Sequence, residues 1–167
     1  VCIALIPALL TSLIFFGLGA VIVLATSVLA CVFFEWAINA YILKRDNLTI
    51  TDGSAILTGL LLGFNLPSNL PIWIILIGAL VAIGIGKMTF GGLGCNPFNP
   101  ALVGRVFLLV SFPVQMTTWP VPGNLTAYLD AETAATPLSI MKGAIKAGDP
   151  SVLEQLPDSL SLLIGQT

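Results

Sequence analysis

The sequence predicts an all-α, polytopic integral membrane protein in which full transmembrane helices alternate with short, broken or re-entrant half-helices. Three observations carry that prediction. Of 167 residues, 57% are hydrophobic and only 8% are charged, against roughly 25% charged in an average soluble domain. The apolar residues are gathered in long runs, as a chain solvated by hydrocarbon requires. Two of those runs are too short for a full crossing and are bounded by Gly, Pro and Asn.

Residues 1–43 are almost uninterrupted apolar sequence. As one helix they would reach about 65 Å, twice the hydrocarbon thickness. Gly17-Leu18-Gly19 is the natural break, giving spans over about 1–16 and 20–43. Lys44-Arg45-Asp46-Asn47 then makes a polar loop. The next apolar piece, 53–66, is short and ends at Pro67-Ser68-Asn69-Leu70-Pro71. Ile72 to Phe90 supplies a true span. Gly91-Gly92-Leu93-Gly94-Cys95-Asn96-Pro97-Phe98-Asn99-Pro100 follows, a string no regular helix tolerates, and 101–112 forms a second short segment. Irregular backbone at membrane depth survives only beside protein or water-filled cavities, so two broken segments point to a buried site, by analogy with transporters. Ordinary loops beside tilted spans are the plainer alternative.

Charge divides the chain. Residues 1–104 hold Glu35, Lys44, Arg45, Asp46, Asp52 and Lys87, whereas 114–167 hold seven charges in half the length. The reading is a membrane-embedded part, 1–113, and a polar segment, 114–167. Both ends look cut, so a fragment is expected. Lys44, Arg45 and Lys87, taken as cytoplasmic under the positive-inside bias, place residues 114–150 on the extracytoplasmic face. Trp119 reads as an interfacial anchor, and a helix is expected from Thr133, with Pro137 in its first turn.

The chemistry is restricted by what is missing. The sequence has no His, which excludes bis-His haem ligation within it. Cys2, Cys31 and Cys95 are too far apart for the common iron–sulfur or zinc spacings. A net charge of −2 leaves no nucleic-acid footprint. If this chain moves electrons alone, an organic cofactor carries them.

Three places can bear function. Asp130-Ala131-Glu132-Thr133-Ala134-Ala135-Thr136-Pro137 offers two hydroxyls three residues apart, with Ala135 and Ala134 permitting close approach. A helix N-terminus there favours a phosphate; the plainer reading is that Thr133 is an N-cap. Glu35 lies in Phe33-Phe34-Glu35-Trp36 inside the second span, where a carboxylate costs several kcal/mol unless paired or hydrated. It is either an ion relay or a boundary residue facing headgroups. Arg105 either neutralises a phosphate, pairs with a buried acid such as Glu35 or Asp52, or snorkels. Asn96 and Asn99 suit a structural role, satisfying loop amides and carbonyls.

The Thr133–Thr136 string resembles a flavinylation motif in which Asp precedes Ser or Thr, a small residue, Ala and an acceptor Thr. Its commonest form is Ser-Gly-Ala-Thr; here Thr and Ala replace Ser and Gly. Asp52-Gly53-Ser54-Ala55, Thr58-Gly59-Leu60-Leu61, Asn65-Leu66-Pro67, Gly86-Lys87, Phe90-Gly91-Gly92-Leu93-Gly94, Asn96-Pro97-Phe98-Asn99-Pro100-Ala101 and Gly104-Arg105 extend the likeness over nearly the whole chain. They resemble the family of the Rnf complex D subunit, the nearer branch, and the B subunit of the sodium-pumping NADH:quinone reductase. The resemblance implies about ten helices in the complete subunit and FMN esterified to Thr136. It also implies a place beside flavin and iron–sulfur subunits in a prokaryotic cytoplasmic membrane complex that couples electron flow to sodium or proton movement. A second, non-covalent flavin elsewhere in that complex is compatible with it. The rival reading is a transporter or channel subunit without a redox cofactor.

Overall fold

The computed structural model describes residues 1–44, 52–92, 94–120, 126, 128, 129, 141, 142, 145 and 146. Its elements are helical: α1 (Ile6–Ala37), α2 (Ser54–Gly63), α3 (Ile72–Leu80), α4 (Pro100–Ser111) and α5 (Pro113–Thr117). α1 is preceded by a 3-10 turn, Ile3–Leu5, and runs on into a π-helical stretch, Ile38–Leu43. α3 likewise runs on through a π-helical stretch, Val81–Lys87, and a 3-10 turn, Met88–Phe90. Two continuous helices, Ile3–Leu43 and Ile72–Phe90, are long and apolar enough to cross a bilayer.

The expected break at Gly17 is real, and it is a kink rather than a loop. Gly17 has φ 51° and ψ −128° inside an otherwise helical run, a conformation that a side chain would strain. Helical hydrogen bonding resumes at once, so the two arms stay one element. On the first arm no residue before Gly19 is buried; Ile3, Leu10 and Ile14 lie at the surface, as hydrocarbon-facing side chains do.

The second arm of α1 meets α2 and α3, and α4 packs on α3 and its π-helical extension. Leu62, Ile74, Ile75, Ala79, Ala82, Ile83 and Leu108 are fully buried at this junction. In lipid, helices gain little from hiding apolar surface from one another, so close backbone approach supplies the attraction. Gly59 is such a contact: a Cβ there would stand 2.6 Å from Val28 Cα. Alongside it, Ser27 donates its hydroxyl to the Gly59 carbonyl at 2.9 Å.

α2 and α4 are the two half-length segments that the sequence predicts. At 10 and 12 residues they extend about 15 and 18 Å at 1.5 Å per residue. The contacts fix their direction. Gly59 lies on Val28 and Gly63 on Leu24, so α2 runs antiparallel to α1. Gly86 meets Pro100, while Gly78 meets Gly104 and Leu108, so α4 runs antiparallel to α3. Both half-helices therefore start from the end of the bundle where α1 and α3 finish.

The chain divides into a unit of Val1–Glu132 and a unit of Thr133–Thr167, a later boundary than the charge distribution suggests. The reason is that residues beyond Pro113 are tied to the first unit. Met116 is buried in its core, and the Tyr128 hydroxyl donates to the Leu70 carbonyl at 2.6 Å. In the second unit Met141, Lys142, Ile145 and Lys146 are helical and exposed.

Candidate functional site

Where α1, α2 and α3 converge, the apolar interior is interrupted by charge. Lys87, the last residue of the π-helical stretch, is 1% exposed, and Glu35, on the last turn of α1, is 0% exposed. Lys87 Nζ donates to Glu35 Oε2 at 2.6 Å and to Ser54 Oγ at 2.6 Å. Ser54 opens α2 and is buried with them. Asn39, one turn beyond Glu35, is also fully buried.

Local geometry explains how each group arrives there. Asp52 Oδ1 accepts the Ser54 backbone N–H at 2.8 Å, and Gly53 takes φ 71° between them. That turn starts α2 with the Ser54 hydroxyl facing inward. Thr58 closes the next turn by donating to the Ser54 carbonyl at 2.9 Å. Asp52 itself is exposed at the mouth of the cluster. Desolvation tends to raise its carboxyl, but the hydrogen bonds from Ser54 and the Lys87 charge outweigh it and hold the carboxyl below its usual range.

Glu35 is therefore not a boundary residue facing headgroups; it is interior and paired. Lys87, which the sequence puts near the end of its span, is buried inside the bundle. The sequence carries only a partial signal of the pairing. Each of two apolar runs holds one isolated charge, of opposite sign, and ionisable residues inside membranes pair.

Arg105 takes neither acid. It is half-buried on α4, and its guanidinium donates to Asn65 Oδ1 at 2.6 Å. Asn65 in turn donates to the Leu61 carbonyl at 2.7 Å. The bond ties the middle of α4 to the end of α2, while Glu35 goes to Lys87. Asn96 and Asn99 do what the sequence suggests. Asn96 accepts from Gly94 N at 3.0 Å and donates to the Phe98 carbonyl at 2.6 Å, while Asn99 accepts from Ala101 N at 3.0 Å. Asn99 thereby caps α4, with Pro100 in its first turn.

The kink of α1 also opens a cavity of about 340 Å³, lined by Thr11, Phe15, Phe64, Ser68 and Trp119 among others. None of its lining residues is ionisable, so the charged cluster, not this cavity, is the candidate site. Among the described residues no three His, Cys, Asp or Glu side chains come together as a ligand cluster. Asp130, Thr133, Ala135 and Thr136 lie outside the described residues.

The profile of the NQR2, RnfD, RnfE family matches residues 1–167. The chain belongs to this family. It is 47% identical over 143 residues to the D subunit of the proton-translocating ferredoxin:NAD(+) oxidoreductase complex of Clostridium ljungdahlii, covering 85% of this chain and 42% of that protein. It is 45% identical over 157 residues to the D subunit of the Na(+)-translocating ferredoxin:NAD(+) oxidoreductase complex of Acetobacterium woodii, covering 92% and 46%. A third relative, the D subunit of the ion-translocating oxidoreductase complex of Yersinia enterocolitica, is 46% identical over 136 residues, covering 78% and 38%. The chain thus spans somewhat under half the length of these curated relatives.

Proposed function

We propose that this chain belongs to the D subunit of an Rnf-type, ion-translocating ferredoxin:NAD oxidoreductase, with FMN esterified through its phosphate to Thr136. The observation that supports it most is family membership together with the Asp130…Thr133-Ala134-Ala135-Thr136 spacing. A threonine hydroxyl is a weak nucleophile unless activated, so a separate transferase attaches the group. Thr136 would hold it by a phosphoester, beside Thr133, Asp130 and Ala135. When bound, the flavin supplies an electron-carrying ring fixed to one subunit.

This chain's own described residues contribute the ion-handling half of the function. Glu35 presents a carboxylate inside the bundle, held by Lys87 at 2.6 Å; α2 begins at Ser54 on the same lysine, and α4 begins against Gly86 beside it. Electron carriers on neighbouring flavin and iron–sulfur subunits stand on either side of the relay. The subunit sits in a prokaryotic cytoplasmic membrane, its flavin segment on the extracytoplasmic face.

In-gel flavin fluorescence of the complex tests this. The wild-type subunit fluoresces after denaturation, and Thr136→Val abolishes the band while the subunit is still inserted. A fluorescent band surviving that substitution removes the assignment. Glu35→Gln should cut ion transport while leaving flavin content intact; equal loss of both, or of neither, rejects the ion role of Glu35.

A further inference from the structure

The ion-pathway reading of Glu35 leaves Lys87 unexplained. An ordinary brace between two membrane helices does not need charge. Apolar residues of similar volume would hold α1 to α3 as well or better, because both ions must be desolvated. Yet Lys87 is fully buried, and its ammonium is met by a carboxylate and a hydroxyl oxygen, each at 2.6 Å. Hard cations also take oxygen ligands. The ammonium therefore stands on two oxygens of the kind that a hard cation takes as ligands.

Two further features favour a site that changes state. Both long helices turn π-helical beside the pair: Ile38–Leu43 begins three residues after Glu35, and Val81–Lys87 ends on Lys87 itself. Such segments concentrate at functional positions. A second carboxylate, Asp52, stands within the electrostatic reach of Lys87, at the exposed mouth, two residues before Ser54. Lys87 thus has one acid inside the bundle and another towards the loop end. Its four-carbon stem and compact charge suit movement between them, as an Arg fork would not.

We propose that Lys87 is a tethered counter-cation: at rest it fills the Glu35–Ser54 oxygen site, yields that site by shifting towards Asp52 when a hard monovalent cation arrives, and returns to expel it. The proposal rests on the ion-pathway reading of Glu35. The arriving cation is met by the Glu35 carboxylate while the displaced ammonium is met by Asp52, so the cluster gains one positive charge on binding and loses it on release. Lys87 is a positioning residue here; it acts through Glu35.

The test uses the intact complex in proteoliposomes, with sodium as the probe in sodium-depleted buffer. Electron-transfer rate and sodium uptake are followed against sodium concentration. Lys87→Met removes the competitor, so the half-saturating sodium concentration should fall about tenfold, equivalent to ~1.4 kcal/mol, and turnover at saturation should slow because release is no longer driven. Lys87→Arg keeps a charge in the oxygen site but loses the mobile ammonium, so it should not reproduce that fall. Asp52→Asn keeps the turn and the buried pair but removes the landing site, so half-saturation should rise. These opposite shifts are what a static brace does not produce. Should Lys87→Met fail to assemble, Asp52→Asn alone decides, and an unshifted half-saturation overturns the proposal. Shifts in the same direction, or a wild-type complex indifferent to sodium, overturn it too. Undiminished sodium uptake in Glu35→Gln would sink the ion-pathway reading beneath it; loss there, with Lys87→Met and Asp52→Asn unshifted, rejects only the role of Lys87.

Discussion

Two basic side chains on neighbouring helices, Lys87 and Arg105, meet different fates. Lys87 is completely enclosed and faces an acid; Arg105 is half-buried and faces the neutral side-chain carbonyl of Asn65. Arg105 joins the two half-helices with a bond that has little reason to change, since a guanidinium stays charged and an amide cannot compete for its proton. Lys87 holds a carboxylate that another cation would also bind. The same kind of residue serves as a fastener in one place and as an exchangeable partner in the other. The difference lies in what it faces and how dry the surroundings are.

The largest expected effect breaks the enclosed pair. Lys87→Met alone or Glu35→Gln alone should cost about 3–5 kcal/mol of stability, because each breaks a buried ion pair. The double substitution Glu35→Gln/Lys87→Met should recover most of that loss. Thermal inactivation of the detergent-solubilised complex measures it, and additive losses would mean that the two do not act as a pair.

A smaller effect should follow at the fastener. A double-mutant cycle between Arg105→Met and Asn65→Ala should give a coupling of about 1.5–3 kcal/mol, the range for a hydrogen bond with one charged partner. Sodium dependence should not move. A shifted half-saturation in Arg105→Met would erase the contrast between the two sites.

The smallest effect is a neutral control. Tyr128→Phe removes the bond to the Leu70 carbonyl and should cost about 1 kcal/mol. Burial pushes the Tyr128 hydroxyl above its ordinary value. Its contribution is therefore whole below about pH 10, the unfolded value, and is lost as pH rises through the folded one. The difference between wild type and Tyr128→Phe should close under alkaline conditions; a gap that widens there would contradict the assignment.

Much of the scaffold was legible in composition. The 72–90 run became the continuous helix Ile72–Phe90, the 101–112 segment became α4, and the Gly17 break appears as the kink. Asn99-Pro100 announces a helix start because side-chain capping and a fixed φ are local properties. The Glu35–Lys87 bond is not local. It joins residues 52 apart, and it depends on the rotational register of two helices, which hydropathy does not encode. Lys87 reads as a topological marker because a charge three residues from the end of a span is usually wet. The packing of α1, α2 and α4 around the end of that helix closes the water out. The π-helical stretches have no signature in apolar periodicity either. The Thr136 assignment, by contrast, comes wholly from motif and family, not from geometry.

That hydroxyl carries the central claim. Mass spectrometry of the peptide containing Thr133 to Thr136, from a complex matured in its native host, is the direct measurement. A peptide heavier by about 440 Da, the increment of a phosphoester-linked FMN, with fragmentation placing it on Thr136, is the predicted result. The unmodified mass as the only species would contradict the claim.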